Sequence, residues 1–350
     1  MEKNNPFSLM FGKPPYSFIE RQAQFEEIMS TFLAPNPSTF SYVITGVRGS
    51  GKTVTLRKLA EEFRGKKDWI VLDVNPQGDL VRPLSEKLLY EGKKDSLFLD
   101  WSININAKIF TLEIKKGEGI TNPEIIFENL LRRTNEAKKR VLITIDEVSP
   151  TPEMKYFANF YQSMVGKGYE LFLLMTGLKN NVNSLVSSSA SSFLSRMPKI
   201  DLPPLDLVEI AREYQRLMGL PIETAAALAK LTEGYAFAYQ VLGYLFYNHD
   251  RHEIDNRLMS DYDDYLRRNG YGVIWKDLTA QEKRFCLEAG NGDNPDLRAI
   301  SGAMQLSESN FQRLRSQLIE KGIIKSTGYG KIAFALPRFK QFVELQAYFE

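Results

Sequence analysis

The chain has 350 residues, of which 43% are hydrophobic and 25% charged, enough to bury the cores of two or three domains. Its net charge of +2 excludes a strongly basic or acidic character of the whole chain as a guide to its partner. The single cysteine, Cys286, excludes an intrachain disulfide, and no apolar run approaches the roughly 20 residues that cross a bilayer. We therefore expect a cytoplasmic protein without a membrane segment.

An N-terminal segment, residues 1–37, is rich in proline and aromatic residues before a helical stretch from Arg21 to Phe32. Pro35-Asn36-Pro37 ends that helix, because proline lacks the amide proton that a helix interior needs. A strand-like apolar run, residues 40–45, follows directly.

Residues 46–53 then read Gly-Val-Arg-Gly-Ser-Gly-Lys-Thr, which is the G-x-x-x-x-G-K-[ST] pattern of a phosphate-binding P-loop. The pattern lies between that strand and a stretch with helical spacing, so a phosphate would sit at a helix N-terminus. Lys52 is expected to reach the β- and γ-phosphates, and the Thr53 hydroxyl to bind Mg²⁺. Arg48 could contact phosphate or a partner, or simply face solvent. The predicted nucleotide-binding residues are Gly46, Val47, Arg48, Gly49, Ser50, Gly51, Lys52, Thr53 and Val54.

A second motif agrees with the P-loop. Val141 to Ile145 form a near-continuous apolar run, typical of a buried parallel strand, that ends in Asp146-Glu147. Acids at the carboxyl end of such a strand lie in the ligand crevice of an open α/β sheet. We expect Asp146 to bind Mg²⁺ together with Thr53, and Glu147 to polarise the attacking water.

The rest of the chain follows a regular alternation. Strand candidates at 69–74, 141–145, 171–175 and 198–202 alternate with helices, and a β-ribbon spans Trp101 to Ile114. This alternation predicts an α/β fold with a doubly wound parallel sheet. After Pro203-Pro204 the pattern becomes wholly helical. The predicted division is an N-terminal segment at 1–37, a P-loop core at 38–205, an all-helical lid at 206–272, and a C-terminal domain at 273–350.

The C-terminal domain has the pattern of a winged helix-turn-helix. A helix capped by Thr279 and a short helix from Leu297 to Met304 precede a third helix, which Ser307 is expected to cap. The apolar positions of this third helix are Phe311, Leu314, Leu318 and Ile319. Gly322 ends it, and a hairpin with a glycine-rich turn follows as the wing.

This domain suggests binding to duplex DNA. Residues 276–344 hold 11 Lys and Arg against 8 Asp and Glu, a net charge of +3. The third helix would enter a major groove through Asn310, Arg313 and Gln317, and Lys325 and Lys331 of the wing would contact phosphate. Winged helices also serve as protein-docking or autoinhibitory modules, and this alternative stays open.

Taken together, these motifs resemble AAA+/STAND P-loop ATPases, and among them the archaeal and bacterial ATPases related to replication-initiator (origin-recognition) proteins. The resemblance implies ATP or ADP with Mg²⁺ as ligands. It implies that Phe18, Ile19 and Arg21 lie near adenine, that Thr176 is the first sensor of the γ-phosphate, and that Arg196 is an arginine finger. Gly234-Tyr235-Ala236 resembles the Gly-x-Pro lid motif of STAND proteins, with alanine in place of proline.

The expected function is a switch that hydrolyses ATP slowly and couples its nucleotide state to DNA binding. An arginine finger acting from a second subunit would require a homo-oligomer in the ATP state. Otherwise, Arg196 is a surface residue at a helix end. A signalling ATPase whose winged helix docks a protein is the main alternative. A processive motor is ranked last, because residues 75–100 lack an aromatic–glycine pore signature.

Overall fold

A computed structural model describes residues 5–10, 12, 14–99, 101–106, 109–114, 122–188, 192–249, 253–292 and 296–348. The chain divides into two compact units. We call Gln22–Thr45 with Lys52–Leu202 the sheet unit, and Met1–Arg21 with Gly46–Gly51 and Pro203–Glu350 the helical unit. The division of the sequence into four segments stays a prediction.

The sheet unit contains a five-stranded parallel sheet in the order β2-β5-β6-β1-β7. All five strands were predicted from the sequence, and this confirms the α/β fold class. The ribbon is also present as an antiparallel pair of strands, and residues 107 and 108 of the predicted ribbon lie outside the described residues. The strands of this unit are β1 (Ser41–Thr45), β2 (Trp69–Val74), β3 (Trp101–Asn106), β4 (Ile109–Ile114), β5 (Arg140–Ile145), β6 (Leu171–Gly177) and β7 (Lys199–Asp201).

Helices cover both faces of this sheet. Successive residues of β1 point to opposite faces, so Val43 joins one apolar cluster while Tyr42 and Ile44 join the other. Both clusters are closed by helices, which explains why the central strands carry apolar residues on both faces. The helices are α1 (Gln22–Leu33), α2 (Lys52–Arg64), α3 (Val81–Lys94), α4 (Pro123–Glu136), α5 (Pro152–Gly166), α6 (Lys179–Ser188) and α7 (Ser192–Arg196).

The helical unit is built around one continuous apolar core. Its first four helices lie in the region predicted as a lid, and a π-helical turn, Arg267–Tyr271, joins the last of them to a short fifth helix at the start of the predicted C-terminal domain. These helices are α8 (Leu207–Met218), α9 (Ile222–Thr232), α10 (Ala236–Tyr247), α11 (Asn256–Leu266) and α12 (Gly272–Lys276).

The C-terminal part of the helical unit has three helices and a hairpin in the order predicted for a winged helix-turn-helix. A further helix, which the sequence pattern did not indicate, follows the hairpin. The elements are α13 (Ala280–Gly290), α14 (Leu297–Met304), α15 (Glu308–Glu320), β8 (Ile324–Gly328), β9 (Lys331–Phe334) and α16 (Phe339–Gln346). Among the described residues, no helix is both long and apolar enough to cross a membrane.

Three predicted details of this part have different outcomes. Helix α15 begins directly after Ser307, but the predicted cap is wrong because the Ser307 side chain makes no capping hydrogen bond to the described helix. The cap on α13 is confirmed, since the Thr279 hydroxyl accepts from the Glu282 amide while the Glu282 carboxylate accepts from the Thr279 amide. The core position predicted for Ile319 is wrong, because this side chain is 39% exposed. Leu318 already occupies the buried face at that level, and the next residue lies about 100° further around the helix.

Candidate functional site

The P-loop adopts a backbone conformation that its glycines permit. Gly49 and Gly51 have φ values of 75° and 95°, in the left-handed region that favours glycine. The amide of Ser50 donates to the carbonyl of Val47 at 3.2 Å and closes a turn. Lys52 then begins α2 directly, so the loop leads into a helix N-terminus.

Each carbonyl oxygen from Arg48 to Ser50 accepts a hydrogen bond from another part of the helical unit. The Tyr235 hydroxyl donates to Arg48 O at 2.8 Å, and the amide of Phe237 donates to Gly49 O at 3.1 Å. The Arg21 guanidinium donates to Ser50 O at 2.7 Å. The peptide amides that follow these carbonyls therefore point away from the three donors.

Arg21 therefore has a clear structural place. Its Nε also donates to Pro203 O at 2.8 Å, and the side chain is buried. Burial lowers the pKa of Arg21 to about 10, so the group remains a cation at neutral pH. Phe18 and Ile19 are half-buried, and Ile19 packs against the core of the helical unit. The adenine contacts of these three residues remain a prediction.

The variable positions of the P-loop face the C-terminal part of the helical unit. A Cβ placed on Gly322 would lie 1.8 Å from Val47 Cγ1, so the valine sits directly on this glycine. Arg48 is exposed, and its Nη2 lies 3.8 Å from the carboxylate of Asp277. Arg48 thus has a protein partner in the arrangement described, while its phosphate contact stays a prediction.

The loop residues fit a phosphate ligand. The Ser50 hydroxyl oxygen is buried and has no hydrogen-bond partner within the described part of the chain. Such an orphaned polar group is costly unless a ligand or water satisfies it. Lys52 is 7% exposed, and Thr53 and Val54 are half-buried in the first turn of α2. Thr53 and Asp146 supply oxygen donors, the kind that Mg²⁺ takes.

The two predicted acids are organised by one threonine of the neighbouring strand. Thr176 at the end of β6 is fully buried, and its hydroxyl donates to the Asp146 carboxylate. The same oxygen accepts from the Glu147 amide at 3.0 Å. Glu147 is exposed with a φ of 57°, an uncommon conformation for a non-glycine residue and one that often marks functional sites. Thr176 therefore contacts the acids, and its γ-phosphate contact remains a prediction.

Two further threonine–aspartate pairs occur at the same end of the sheet. Thr144 donates to Asp73 at 2.5 Å, and Thr45 donates to Asp201. Lys179, which the sequence reasoning missed, donates to Asp201 at 2.8 Å. Although burial alone raises the pKa of Asp201, the hydrogen bonds from Lys179 and Thr45 outweigh it and the pKa is lowered. The sequence signal for Lys179 was its position as a polar residue just after the strand β6.

The remaining predicted residues are accessible. Arg196 at the end of α7 is exposed and forms no ion pair with any residue that the structure describes. The role of Arg196 as an arginine finger is still a prediction. Lys325 lies 3.2 Å from the carboxylate of Glu233, so part of its charge is already neutralised. The predicted DNA contacts of the third helix and the wing, Asn310, Arg313, Gln317, Lys325 and Lys331, are all exposed.

The similarity to known proteins lies in the fold. Residues 268–343 match a family model described as a domain of unknown function (DUF8462). A search of curated proteins gives no match. Among solved structures, the chain is similar to the Walker-type ATPase of Pyrococcus abyssi at 15% identity and a TM-score of 0.66, with 93% of this chain and 96% of that one covered.

Two further solved structures are also similar to the chain. The ORC2 protein of Aeropyrum pernix, in its ADPNP–ADP complexes, has 11% identity and a TM-score of 0.60, with coverage of 94% and 93%. Cdc6p of Pyrobaculum aerophilum has 14% identity and a TM-score of 0.51, with coverage of 97% and 96%. The chain therefore has the fold of the AAA+ P-loop ATPases related to replication initiators, and the resemblance drawn from the motifs is confirmed at that level.

Proposed function

We propose that the protein is an ATP-binding and slowly ATP-hydrolysing switch of the cytoplasm. The observation that supports this most directly is the P-loop itself. Gly49 and Gly51 are in left-handed conformations, and the buried Ser50 hydroxyl has no hydrogen-bond partner among the described residues. A polyphosphate would supply acceptors for that hydroxyl and for the loop amides. The ADPNP–ADP complexes of the Aeropyrum pernix protein, which shares the fold, support the choice of adenine nucleotides.

The residues of this site divide the chemical work between them. Lys52 holds the charge of the β- and γ-phosphates, while Thr53 and Asp146 hold Mg²⁺. Mg²⁺ supplies charge neutralisation at the reacting phosphate. Glu147 orients the attacking water, and Thr176 fixes the position of both acids. Arg196 would stabilise the developing charge, either within its own chain or from a second copy in an oligomer.

Binding and turnover test this proposal separately. Titration calorimetry with ADP and a non-hydrolysable ATP analogue, with and without Mg²⁺, should give micromolar or tighter affinity, and phosphate release should be slow but measurable. Absence of binding by both nucleotides at millimolar concentration would overturn the proposal. Nucleotide binding without any phosphate release would leave the protein as a nucleotide-dependent switch and exclude it as an ATPase.

The output of the switch is proposed to be duplex DNA. Exposed polar groups on α15 and exposed lysines at the hairpin support this, as does the net charge of +3 over residues 276–344. Fluorescence anisotropy with duplexes of about 25 base pairs over a salt series, in ADP and in ATP analogue, tests it. Binding should weaken with salt and differ between the nucleotides. Flat titrations at low salt in both states would refute DNA as the output.

A protein-docking or autoinhibitory role is the second candidate. It is favoured by the contacts that this C-terminal part makes with its own chain, namely Val47 on Gly322, Arg48 with Asp277, and Lys325 with Glu233. The last of these contacts uses a lysine that DNA binding would need. Under this proposal, deleting the C-terminal part raises ATP turnover, and DNA has no effect on that turnover.

Mass measurement in each nucleotide state tests whether a homo-oligomer forms.

A further inference from the structure

Three successive carbonyl oxygens of the P-loop are held by groups that lie outside the loop. We propose that Tyr235 and Arg21 are positioning residues which, with the Phe237 amide, hold the P-loop amides in the orientation that binds phosphate. Docking of the α10 N-terminus on the loop and nucleotide binding are then coupled. This inference rests on the proposed nucleotide site, and it adds residues that contact the loop on the side away from the phosphate.

The geometry of the peptide bond carries the first step. In a trans peptide, the carbonyl of one residue and the amide proton of the next point in opposite directions, and the described chain has no cis peptide. Fixing the carbonyls of Arg48 and Ser50 on one side therefore fixes the amides of Gly49 and Gly51 on the other. The Ser50 amide is already used in the turn to Val47 O. The amides of Gly49 and Gly51 thus face a ligand because the carbonyls that precede them are held on the opposite side of the loop.

The region around Tyr235 is shaped for this contact. A Cβ on Gly49 would lie 2.3 Å from the Tyr235 hydroxyl oxygen, so only glycine lets the ring approach the loop. Gly234 before it has a φ of 76°, and its carbonyl accepts from the Leu205 amide at 2.8 Å. Tyr235 is buried, and burial raises its pKa, so the hydroxyl remains a proton donor at any physiological pH.

Phe237 contributes through its backbone. Its amide is one of the first amides of α10, which have no partner inside their own helix, and it donates to Gly49 O instead. Its ring lies over Gly270 in the π-helical turn, where a Cβ would be 2.9 Å from the ring. The position of the helix end on the loop is therefore fixed by both packing and hydrogen bonding. A ligand that orders the loop amides stabilises this docking, and the docked helix favours the ligand in return.

A matched pair of tyrosines tests the proposal. Tyr239 lies one turn further along α10, is also buried, and donates its hydroxyl to a carbonyl outside the loop, Ser17 O, at 3.0 Å. Tyr235→Phe and Tyr239→Phe each remove one buried hydroxyl–carbonyl bond. We expect Tyr235→Phe to raise the Kd for ADP by about five- to tenfold, the effect of losing one hydrogen bond, and Tyr239→Phe to change it less than about twofold. Thermal melting should fall similarly in both.

Arg21 provides an independent measurement. Arg21→Met should weaken ADP binding by about tenfold or more, since it removes a charged donor from Ser50 O, and Arg21→Lys should restore part of that loss. Hydrogen exchange reports the coupling directly. Addition of ADP should slow exchange in the first turn of α10 in the parent protein, and this protection should be smaller in Tyr235→Phe.

The outcomes separate this proposal from the function on which it rests. If the parent binds ADP and Tyr235→Phe binds it equally well, the positioning role is wrong while the nucleotide site stands. Equal losses of affinity in Tyr235→Phe and Tyr239→Phe would also overturn it, because the effect would then be one of general stability. If the parent binds neither ADP nor the ATP analogue, the proposed function fails and this inference fails with it.

Discussion

The phosphate-binding loop and the acids after β5 are held in place in different ways. Thr176, which organises Asp146, is only 30 residues away from it and lies on the adjacent strand. Tyr235, which holds the carbonyl of Arg48, is 187 residues away along the chain. The acids therefore take their geometry from the register of one sheet. The loop takes its geometry from the packing of distant helices.

This difference has a consequence for regulation. Strand register cannot change without breaking the sheet, so the acids form the invariant part of the proposed site. A helix end that docks through hydrogen bonds can move at a cost of a few kcal/mol, which a ligand can supply. Any response to nucleotide state is therefore expected through the loop and the helices that contact it.

The largest effect is expected at the loop itself. Lys52→Ala removes the cation at the start of α2 and should raise the Kd for ATP analogue by more than about 100-fold, because the β- and γ-phosphates lose their charge partner. Calorimetry gives the affinity. Lys58→Ala is the control, since Lys58 lies on the same helix and pairs with Glu61 at 3.7 Å. Similar affinities in the two variants would remove Lys52 from the site.

The acids should affect turnover and leave affinity nearly unchanged. Glu147→Gln keeps the side-chain shape and the left-handed backbone but removes water activation, so phosphate release should fall by about 100-fold or more. The Kd for ATP analogue should stay within about threefold. Glu153→Gln, in the first turn of α5, controls for loss of an acid near this strand end. Unchanged release in Glu147→Gln would exclude it as the residue that orients water.

On the sheet side of the proposed site, sequence reasoning predicted the strands but not the contacts between their side chains. The apolar, β-branched run that ends in Asp146-Glu147 has the length and composition of a buried strand, and it forms one. The strand predicted at 171–175 ends directly before Thr176, and the observed strand includes this residue. The direction of the Thr176 hydroxyl was beyond the reach of sequence reasoning, because that depends on the side-chain conformation of a buried residue.

The loop side was recovered only in part. The glycine positions were predicted, since the motif itself requires them. The groups behind the loop could not be found, because no local pattern ties Tyr235 or Gly322 to residues 46–51. The resemblance of residues 234–236 to the Gly-x-Pro motif pointed to the segment that contacts the loop, but it did not indicate the hydrogen bond from Tyr235. Exposure of Ile319 was missed because spacing alone cannot tell which of two adjacent apolar residues faces the core.

An intermediate effect is expected where the acids are oriented. Thr176→Val preserves volume but removes the donor to Asp146 and the acceptor of the Glu147 amide, so turnover should fall by about 10- to 30-fold and need more Mg²⁺. Thr144→Val removes the same kind of contact, to Asp73, one strand away. Steady-state kinetics over a Mg²⁺ series distinguishes them. If both variants lose activity equally, Thr176 acts only through sheet stability.

The smallest effect concerns the contact between the loop and the C-terminal part of the helical unit. Gly322→Ala places a Cβ against Val47, and the backbone there has a φ of 67°. We expect the free energy of unfolding to fall by about 2 kcal/mol, part from the backbone strain and part from the clash. Gly330→Ala isolates the strain, since its φ is 72° and nothing lies within 4 Å of the added atom.

A double variant separates the two contributions to that loss. Val47→Ala removes the Cγ1 atom that lies 1.8 Å from the new Cβ, so Gly322→Ala in this background should cost only about what Gly330→Ala costs. Denaturant unfolding of the four variants, each with and without ADP, measures both stability and coupling. If ADP stabilises Gly322→Ala as much as it stabilises the parent, nucleotide binding at the loop is independent of the C-terminal contact. The lid helix α10 would then be the route by which the loop reports its ligand, and Tyr235→Phe would be the variant to compare in the same assay.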